Sequence, residues 1–266
     1  MMQETQAVSA DRAGMSDPDQ ARARDMFPRG LSQPRQGFRF SLDALLLAAF
    51  AGQWEVRGRV LDLGTGCGVV GLAVALGHPD SVVVGLDASP VMLNHARENA
   101  RRLGLEKRFA VLQGDVANPG GLRPGSMDLV VCNPPYRDPR TGRACPDAVK
   151  NAARFETGAG LADFIRATAF FLGNKKPYAF IHLAERADDL LVLLRESRLR
   201  PKVLCFVHPR AEDAARMVLV RGVKNGGSGL RVAPGLVLHE GQGEASRLTA
   251  GILDFCPHLA CNAVQT

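Results

Sequence analysis

Apolar and polar positions along this chain predict an alternation of strands and helices. Short apolar runs that end in glycine or acidic residues indicate buried strands, whereas apolar residues three or four positions apart indicate helices. The predicted strands cover residues 60–63, 81–86, 109–112, 127–132, 178–183, 202–207 and 215–223. One predicted helix begins after Ser41, which can cap it. Four more predicted helices cover residues 69–76, 90–103, 160–172 and 187–197. This alternation favours an α/β fold, with a mostly parallel sheet and helices on both faces.

The last two predicted strands are joined by a short connection that contains His208, Pro209 and Arg210. Parallel strands need a long crossover, so a connection of this length indicates antiparallel neighbours. We therefore expect an antiparallel pair at the edge of the sheet.

The two ends of the chain lack such periodicity. Residues 1–30 mix Ala, Arg, Asp and Gln without an apolar repeat, which is typical of a mobile tail. The sequence predicts a disordered head over residues 1–34, one domain over 35–255 and a short tail over 256–266. The first residues resemble no secretory signal and no apolar run reaches the roughly 18 residues of a membrane span, so a cytoplasmic protein is expected.

Composition changes this picture little. The 266 residues are 46% hydrophobic and 23% charged, which fits a chain with a sizeable core and excludes a coiled coil or a collagen-like repeat. The net charge of +6 permits a polyanionic partner without requiring one. Six cysteines occur without a Cys-x-x-Cys pair and without a histidine at zinc-finger spacing, so no metal site is expected.

A glycine-rich turn follows the first predicted strand. Gly64, Gly66 and Gly68 let the backbone turn tightly and approach a ligand closely. Asp87 follows the second strand, where its carboxylate can accept both hydrogen bonds of a ribose diol. Ligands of open α/β sheets bind at these carboxyl ends of the strands.

Two more acidic residues stand at the same edge of the predicted sheet. Asp62 precedes the glycine turn, where it can hold the amino group of a cationic ligand. Asp115 follows the third strand, where it or its neighbours can reach an adenine amino group. The spacing also fits the dinucleotide fingerprint, so NAD stays an alternative on these residues alone.

The fourth predicted strand ends in Asn133-Pro134-Pro135-Tyr136. Pro135 restricts the backbone, so that the Asn133 side-chain oxygen and the Pro134 carbonyl face one NH₂ group as two acceptors. Two acceptors draw a ring-conjugated amine towards a tetrahedral shape and free its lone pair for attack on an activated methyl group. The nitrogen becomes acidic only after methylation, so no strong base is needed. Tyr136 can stack on a base, a contact worth about 1–3 kcal/mol.

Together, the glycine turn and the Asn133–Tyr136 motif resemble class I S-adenosylmethionine-dependent methyltransferases that methylate amino groups. Three further stretches resemble bacterial tRNA adenine-N6-methyltransferases, which modify the adenosine beside the anticodon of a valine tRNA. These stretches are Gly37–Leu47, Phe206–Arg210 and Leu219–Lys224. The resemblance covers about residues 35–253. It implies a Rossmann-like, seven-stranded sheet that is mostly parallel, with the last strand antiparallel.

The resemblance also implies a set of site residues. It places the target adenine at four catalytic residues, Asn133, Pro134, Pro135 and Tyr136. Arg39 and Asp43 would close over the cofactor, S-adenosylmethionine. The residues that it places on this cofactor are Arg39, Asp43, Asp62, Gly64, Thr65, Gly66, Gly68, Asp87, Ala88, Asp115, Val116 and Asn133.

The segment after this motif bears on the substrate. Arg137, Arg140 and Arg143 are expected to contact the phosphates of a tRNA anticodon stem-loop. Residues 138–149 and 151–156 depart from the pattern that is common in the family. The alternatives are therefore methylation of a protein glutamine at N5, methylation of adenine N6 in rRNA or DNA, and a non-catalytic module that binds S-adenosylmethionine or RNA. A monomer is the default expectation.

Overall fold

The computed structural model describes residues 16–34, 41–136 and 159–262. The strands in these ranges are β1 (Gly58–Leu63), β2 (Ser81–Asp87), β3 (Phe109–Gln113), β4 (Leu129–Cys132), β5 (Pro177–Leu183), β6 (Leu199–His208), β7 (Met217–Lys224), β8 (Arg231–Val232), β9 (Leu236–Val237), β10 (His239–Glu240) and β11 (Arg247–Leu248). The α-helices are α1 (Asp17–Asp25), α2 (Leu42–Ala51), α3 (Val69–Gly77), α4 (Pro90–Arg102), α5 (Leu161–Phe171), α6 (Ala187–Glu196) and α7 (Ala250–Phe255). Short 3₁₀ helices cover Ala184–Arg186, Gly243–Ala245 and Pro257–Asn262.

The main sheet has the strand order β3-β2-β1-β4-β5-β7-β6-β8, and β9 also pairs with β6. Strands β1 to β5 pair in parallel, whereas β7 runs antiparallel to both β5 and β6. The expected α/β fold with a reversed last long strand is confirmed. The sheet has nine strands within the described residues, and not seven, because β8 and β9 add two residues each beside β6.

Each face of the sheet carries its own apolar core. Alternate residues of a strand point to opposite faces, and β5 shows this directly. Ala179 and Ile181 belong to the core that contains α2, α3 and α4, whereas Tyr178 and Phe180 belong to the core that contains α5 and α6. The sheet is therefore buried on both faces. The carboxyl ends of its parallel strands, with the turns that follow them, form one edge, which is called the carboxyl edge below.

Helix α2 is buried on more sides than an amphipathic helix would be. Leu45, Leu46, Leu47, Ala48 and Phe50 are all buried. The reason is that α2 packs against α3 and also against strands β4, β5 and β7. The longest described helix, α4, has 13 residues, and within the described ranges no helix is long and apolar enough to cross a bilayer.

The expectation of a disordered head is wrong for residues 17–30. Ser16 caps α1 by accepting the N–H of Asp19, and Phe27 is 1% exposed within the core. The backbone N–H of Ser32 donates to the side-chain oxygen of Asn99 at 2.6 Å. Polar bonds hold this segment against α4, and one aromatic ring anchors it in the core, and such contacts leave no periodic signal.

The predicted C-terminal tail is also packed where the structure describes it. Cys256 and Leu259 are buried, and the thiol of Cys256 lies 3.5 Å from the carbonyl oxygen of Leu45. The ring of His258 meets that of Phe27 edge to face, with 4.9 Å between the centroids. The two ends of the described chain therefore pack against each other and against the core around α2.

Candidate active site

Three parallel strands end side by side at the carboxyl edge of the sheet. Leu63 of β1 pairs with the last but one residue of β2 and with the last residue of β4. The next positions, Gly64, Asp87 and Asn133, therefore form a row across the three strands. Neighbouring strands are about 4.8 Å apart, so this row spans roughly 10 Å. The register brings the glycine turn and the Asn133 motif together.

The turn after β1 depends on glycine at three positions. Gly64, Gly66 and Gly68 have φ angles of +71°, +56° and +91°, which lie in the left-handed region that favours glycine. The N–H groups of Gly64 and Thr65 both donate to the carbonyl oxygen of Leu86, at 2.8 and 3.0 Å. The turn is thus fastened to β2 before it enters α3.

Asp62 supports this turn from the core side. Its side chain is almost completely buried, and Oδ2 accepts hydrogen bonds from the Thr65 hydroxyl at 2.7 Å and from the Gly71 N–H at 2.9 Å. Burial raises the pKa of this carboxyl group to about 6, although both hydrogen bonds oppose the shift. Thr65 is buried as well. A ligand contact of Asp62 or Thr65 stays a prediction.

Asp87 links the turn to the start of α4. Its Oδ2 accepts the N–H of Gly66 and its Oδ1 accepts the N–H of Ser89, both at 2.9 Å. Ser89 in turn caps α4 by accepting the N–H of Met92. Burial raises the pKa of Asp87, while these hydrogen bonds oppose the shift. A carboxylate has about four acceptor positions, so the half-buried Asp87 can bind further donors.

The third acidic position lies one strand further along the same edge. Asp115 accepts the N–H of Ala117 through Oδ1 at 2.8 Å and the side-chain amide of Asn118 through Oδ2 at 3.2 Å. Val116 is buried beside it, and Ala88 is half-buried at the end of β2. The edge therefore presents two half-buried carboxylates, Asp87 and Asp115, around the glycine turn.

The motif after β4 is tied to helix α2. The hydroxyl oxygen of Tyr136 lies 2.8 Å from Oδ1 of Asn133 and 2.9 Å from Oδ2 of Asp43. Burial, together with the charge of Asp43, holds the pKa of Tyr136 well above its usual range, so its hydroxyl keeps its proton. Pro134 is buried, and Asn133 and Pro135 are half-buried. The expected stacking of Tyr136 on a base stays a prediction.

One residue beside the motif was not among the sequence candidates. His182 lies at the end of β5, fully buried, with its ring 5.6 Å from that of Tyr136 and tilted by 67°. Its Nδ1 accepts the N–H of Leu183, and Nε2 has no hydrogen-bond partner among the described residues. Burial lowers the pKa of His182 to about 4, so the ring is neutral at pH 7. The sequence places His182 near the end of a predicted strand, but it does not show that the ring of His182 contacts Tyr136.

Four sequence candidates fall on other parts of the chain. Arg39, Arg137, Arg140 and Arg143 lie outside the described residues.

The hydrogen-bond donors and acceptors of the described residues indicate which ligand the carboxyl edge of the sheet can bind. Carboxylates at two successive strand ends suit hydroxyl and amino donors, and the backbone at Gly66 is open enough that an added Cβ would meet only the end of Met92, at 3.4 Å. This set fits an adenosine-type ligand such as S-adenosylmethionine.

Comparison with known proteins gives matches to methyltransferases. Residues 42–160 match the model of the methyltransferase small domain. The tRNA1(Val) (adenine(37)-N6)-methyltransferase of Actinobacillus succinogenes is 27% identical over 195 residues, which are 73% of this chain and 80% of that protein. The enzyme of the same name from Porphyromonas gingivalis is 28% identical over 179 residues, 64% of this chain and 68% of that protein.

A second group of relatives is more similar over a shorter stretch. The release factor glutamine methyltransferase of Rhodospirillum rubrum is 44% identical over 79 residues, which are 30% of this chain. This chain spans only 23% of the length of that protein and 35% of the length of its counterpart from Moorella thermoacetica.

Solved structures show the same fold. A protein described as a predicted O-methyltransferase, Atu636 from Agrobacterium tumefaciens, superposes with a TM-score of 0.65 at 24% identity, covering 81% of this chain and 96% of that one. Geranyl diphosphate C-methyltransferase from Streptomyces coelicolor, solved with S-adenosyl-L-homocysteine, gives a TM-score of 0.51 at 14% identity, covering 80% of this chain and 99% of that one.

Proposed function

We propose that this chain is an S-adenosylmethionine-dependent methyltransferase that methylates the exocyclic N6 of an adenine in tRNA, next to the anticodon. One observation carries the proposal. The register of β1 against β4 sets Asn133 directly beside Gly64. An amine that is held by Asn133 would therefore lie next to the ligand that occupies the glycine turn. Proximity of this kind replaces a chance encounter with a fixed geometry.

The cofactor is proposed to lie over the turn after β1. Asp87 would accept the hydrogen bonds of its ribose hydroxyls, and Asp115 with Val116 would lie at its adenine. Gly64, Gly66 and Gly68 would allow the close backbone approach. Bound S-adenosylmethionine supplies a methyl group that its sulfonium has already activated. Asp62 would act mainly by holding the turn in shape, since its Oδ2 is engaged by Thr65 and Gly71. The proposed cofactor residues are Arg39, Asp62, Gly64, Thr65, Gly66, Gly68, Asp87, Ala88, Asp115, Val116 and Asn133.

The motif after β4 is proposed to prepare the nucleophile. The side-chain oxygen of Asn133 and the carbonyl of Pro134 would accept the two N–H groups of the target amine. Its lone pair would then be free to point at the methyl group. After transfer the nitrogen is cationic and strongly acidic, so water can take the proton. The neutral, buried ring of His182 needs no part in that step.

The share of this chain that aligns with each group of relatives supports tRNA as the substrate. The adenine-N6 relatives align with 64% and 73% of this chain, whereas the two glutamine methyltransferases align with 30% and 38%. A longer alignment includes more of the parts that distinguish one substrate from another. Arg137, Arg140 and Arg143 are proposed to contact the RNA backbone, and such contacts would make affinity fall steeply with salt.

The test is nucleoside mass spectrometry on the full chain. The protein is incubated with S-adenosylmethionine and unmodified bulk tRNA, and the digest is expected to contain N6-methyladenosine. A parallel reaction offers a release-factor protein. A methylated glutamine with no methylated adenosine would reject the proposal in favour of the second candidate function.

A matched pair of variants assigns the reaction to this site. Asn133→Ala is expected to abolish transfer while S-adenosylmethionine still binds. Asn174→Ala is the control, since Asn174 is exposed near the amino end of β5. Transfer at the wild-type rate by Asn133→Ala would contradict the proposed role of the motif. RNA binding by wild type and variant alike, with no methyl product, would indicate a non-catalytic module.

A further inference from the structure

A single hydroxyl group connects helix α2 to the catalytic motif. The hydroxyl oxygen of Tyr136 lies 2.9 Å from Oδ2 of Asp43 and 2.8 Å from Oδ1 of Asn133. Asp43 is in the first turn of α2 and is 93 positions away from Tyr136 in the chain. The Ser41 hydroxyl donates to the same Asp43 oxygen at 2.8 Å. One carboxylate oxygen thus accepts hydrogen bonds from both hydroxyl groups.

The single proton of the Tyr136 hydroxyl can be donated to Asp43 or to Asn133, but not to both. A tyrosine hydroxyl has one proton, so it can donate to only one of two acceptors. A carboxylate is the stronger acceptor, since hydrogen bonds to an ionised group are about twice as strong as neutral ones. The hydroxyl therefore donates to Asp43. Its lone pairs then face the Asn133 side chain.

This arrangement determines which end of the Asn133 amide faces the tyrosine. Two oxygens without a shared proton repel each other at 2.8 Å. The oxygen and nitrogen ends of an asparagine amide have nearly the same shape, so hydrogen bonding decides between them. A half-turn of the amide brings Nδ2 to the hydroxyl oxygen as a donor. The side-chain oxygen of Asn133 then points away from Tyr136.

We propose that Asp43 is a positioning residue that acts through the Tyr136 hydroxyl and turns the Asn133 side-chain oxygen towards the incoming amine. The inference rests on the proposed function, because it concerns methylation of an NH₂ group. Without Asp43, the Tyr136 hydroxyl donates to the Asn133 oxygen and leaves Nδ2, a donor, facing the amine. Donors then face donors, and the amine is no longer held.

The surroundings of Tyr136 support such a role. The ring of His182 packs against it edge to face, and burial keeps the hydroxyl protonated at neutral pH. The resemblance to known methyltransferases implied that Asp43 closes over the cofactor. The contacts of Asp43 to Ser41 and Tyr136 point to the side of the amine instead.

Steady-state kinetics with a double-mutant cycle tests the inference. Asp43→Ala is expected to lower kcat at least tenfold while the Kd for S-adenosylmethionine changes less than twofold. Asp43→Asn restores an acceptor for the hydroxyl and is expected to recover most of the lost rate. In the Tyr136→Phe background, which lacks the hydroxyl, Asp43→Ala is expected to change kcat less than twofold further.

Two kinetic outcomes would overturn the inference. A tenfold weaker Kd for S-adenosylmethionine with an unchanged kcat would mean that Asp43 serves the cofactor. A loss of kcat from Asp43→Ala that is as large in the Tyr136→Phe background as in the wild type would mean that Asp43 does not act through Tyr136.

A second measurement needs no substrate. The chain has two tyrosines, Tyr136 and Tyr178, so a protein labelled with ¹³C at the tyrosine ζ carbon gives two signals. Asp43→Ala, which removes the acceptor, is expected to shift the Tyr136 signal and to leave that of Tyr178 in place. A Tyr136 signal that does not move would overturn the inference. A shifted signal in a protein whose wild type methylates no amine would support the link and reject the proposed function.

Discussion

The backbone N–H of Gly66 donates to Oδ2 of Asp87 at 2.9 Å. The bond joins the middle of the glycine turn to the end of the neighbouring strand. The other oxygen of Asp87 accepts the N–H of Ser89, which caps α4. One carboxylate thus fixes the shape of the turn and also offers its remaining acceptor positions to a ligand.

Asp87→Ala is expected to weaken binding of S-adenosylmethionine by at least tenfold. A hydrogen bond to a charged group is worth about 1.5–3 kcal/mol, and the variant loses the proposed ribose contacts together with the two bonds that shape the turn. Isothermal titration calorimetry measures the effect. Asp80→Ala is the matched control, because Asp80 is an exposed acid at the other end of β2. Equal affinities for the two variants would reject a ligand role for Asp87.

Asp62→Asn is expected to gain stability relative to the wild type as the pH rises from 4 to 7. Burial raises the pKa of Asp62 from 3.8 to about 6, so the folded state binds more protons than the unfolded state between these values. The contribution of this group to stability is therefore lost as the pH rises through about 6. At about 1.4 kcal/mol per pH unit, the gain of the variant reaches at most about 3 kcal/mol.

Urea unfolding of Asp62→Asn and of wild type at several pH values measures this gain. The asparagine oxygen can still accept from Thr65 and Gly71, so the turn is expected to survive. Other titrations, such as that of His182, cancel in the difference between the two proteins. A difference that stays constant from pH 4 to pH 7 would contradict the raised pKa.

Gly71→Ala is expected to destabilise the protein by about 1–3 kcal/mol. An added Cβ would lie 2.8 Å from Cε2 of Phe109 and 2.9 Å from Cγ1 of Val83, and the close packing of α3 on the sheet leaves no room for it. Gly77→Ala in the same helix is the control, because nothing lies within 4 Å of its added Cβ. Thermal unfolding should separate the two, and equal melting temperatures would argue against this packing.

Phe27→Ala is expected to cost about 3–5 kcal/mol of unfolding free energy, the usual range for removing a buried aromatic ring. Phe27 is 1% exposed and its ring meets that of His258. The neighbouring Met26 is 42% exposed, so Met26→Ala is expected to change stability by less than about 0.5 kcal/mol. Chemical denaturation compares them. A small effect at both positions would mean that the head does not contribute to the core.

Much of the fold was predictable because it depends on local physics. The apolar runs marked β1, β2 and β5, and the helix predicted over residues 90–103 is α4. Glycine adopts positive φ more readily than other residues, so the glycines at 64, 66 and 68 located this turn in the sequence. The head was missed because Phe27 is a single anchor among polar residues.

The sequence by itself determined which residues lie at the carboxyl ends of the strands, since strand ends and turns follow from apolar runs, glycines and prolines. It placed Asp62, Asp87 and Asn133 at such ends. Only the tertiary structure decided that β4 lies beside β1, that Tyr136 meets Asp43 across 93 positions and that His182 is buried against Tyr136. Strand order, burial and the pKa values that depend on burial are set by which surfaces pack together. Contacts between segments that are distant in the chain produce no periodic pattern of apolar residues in the sequence.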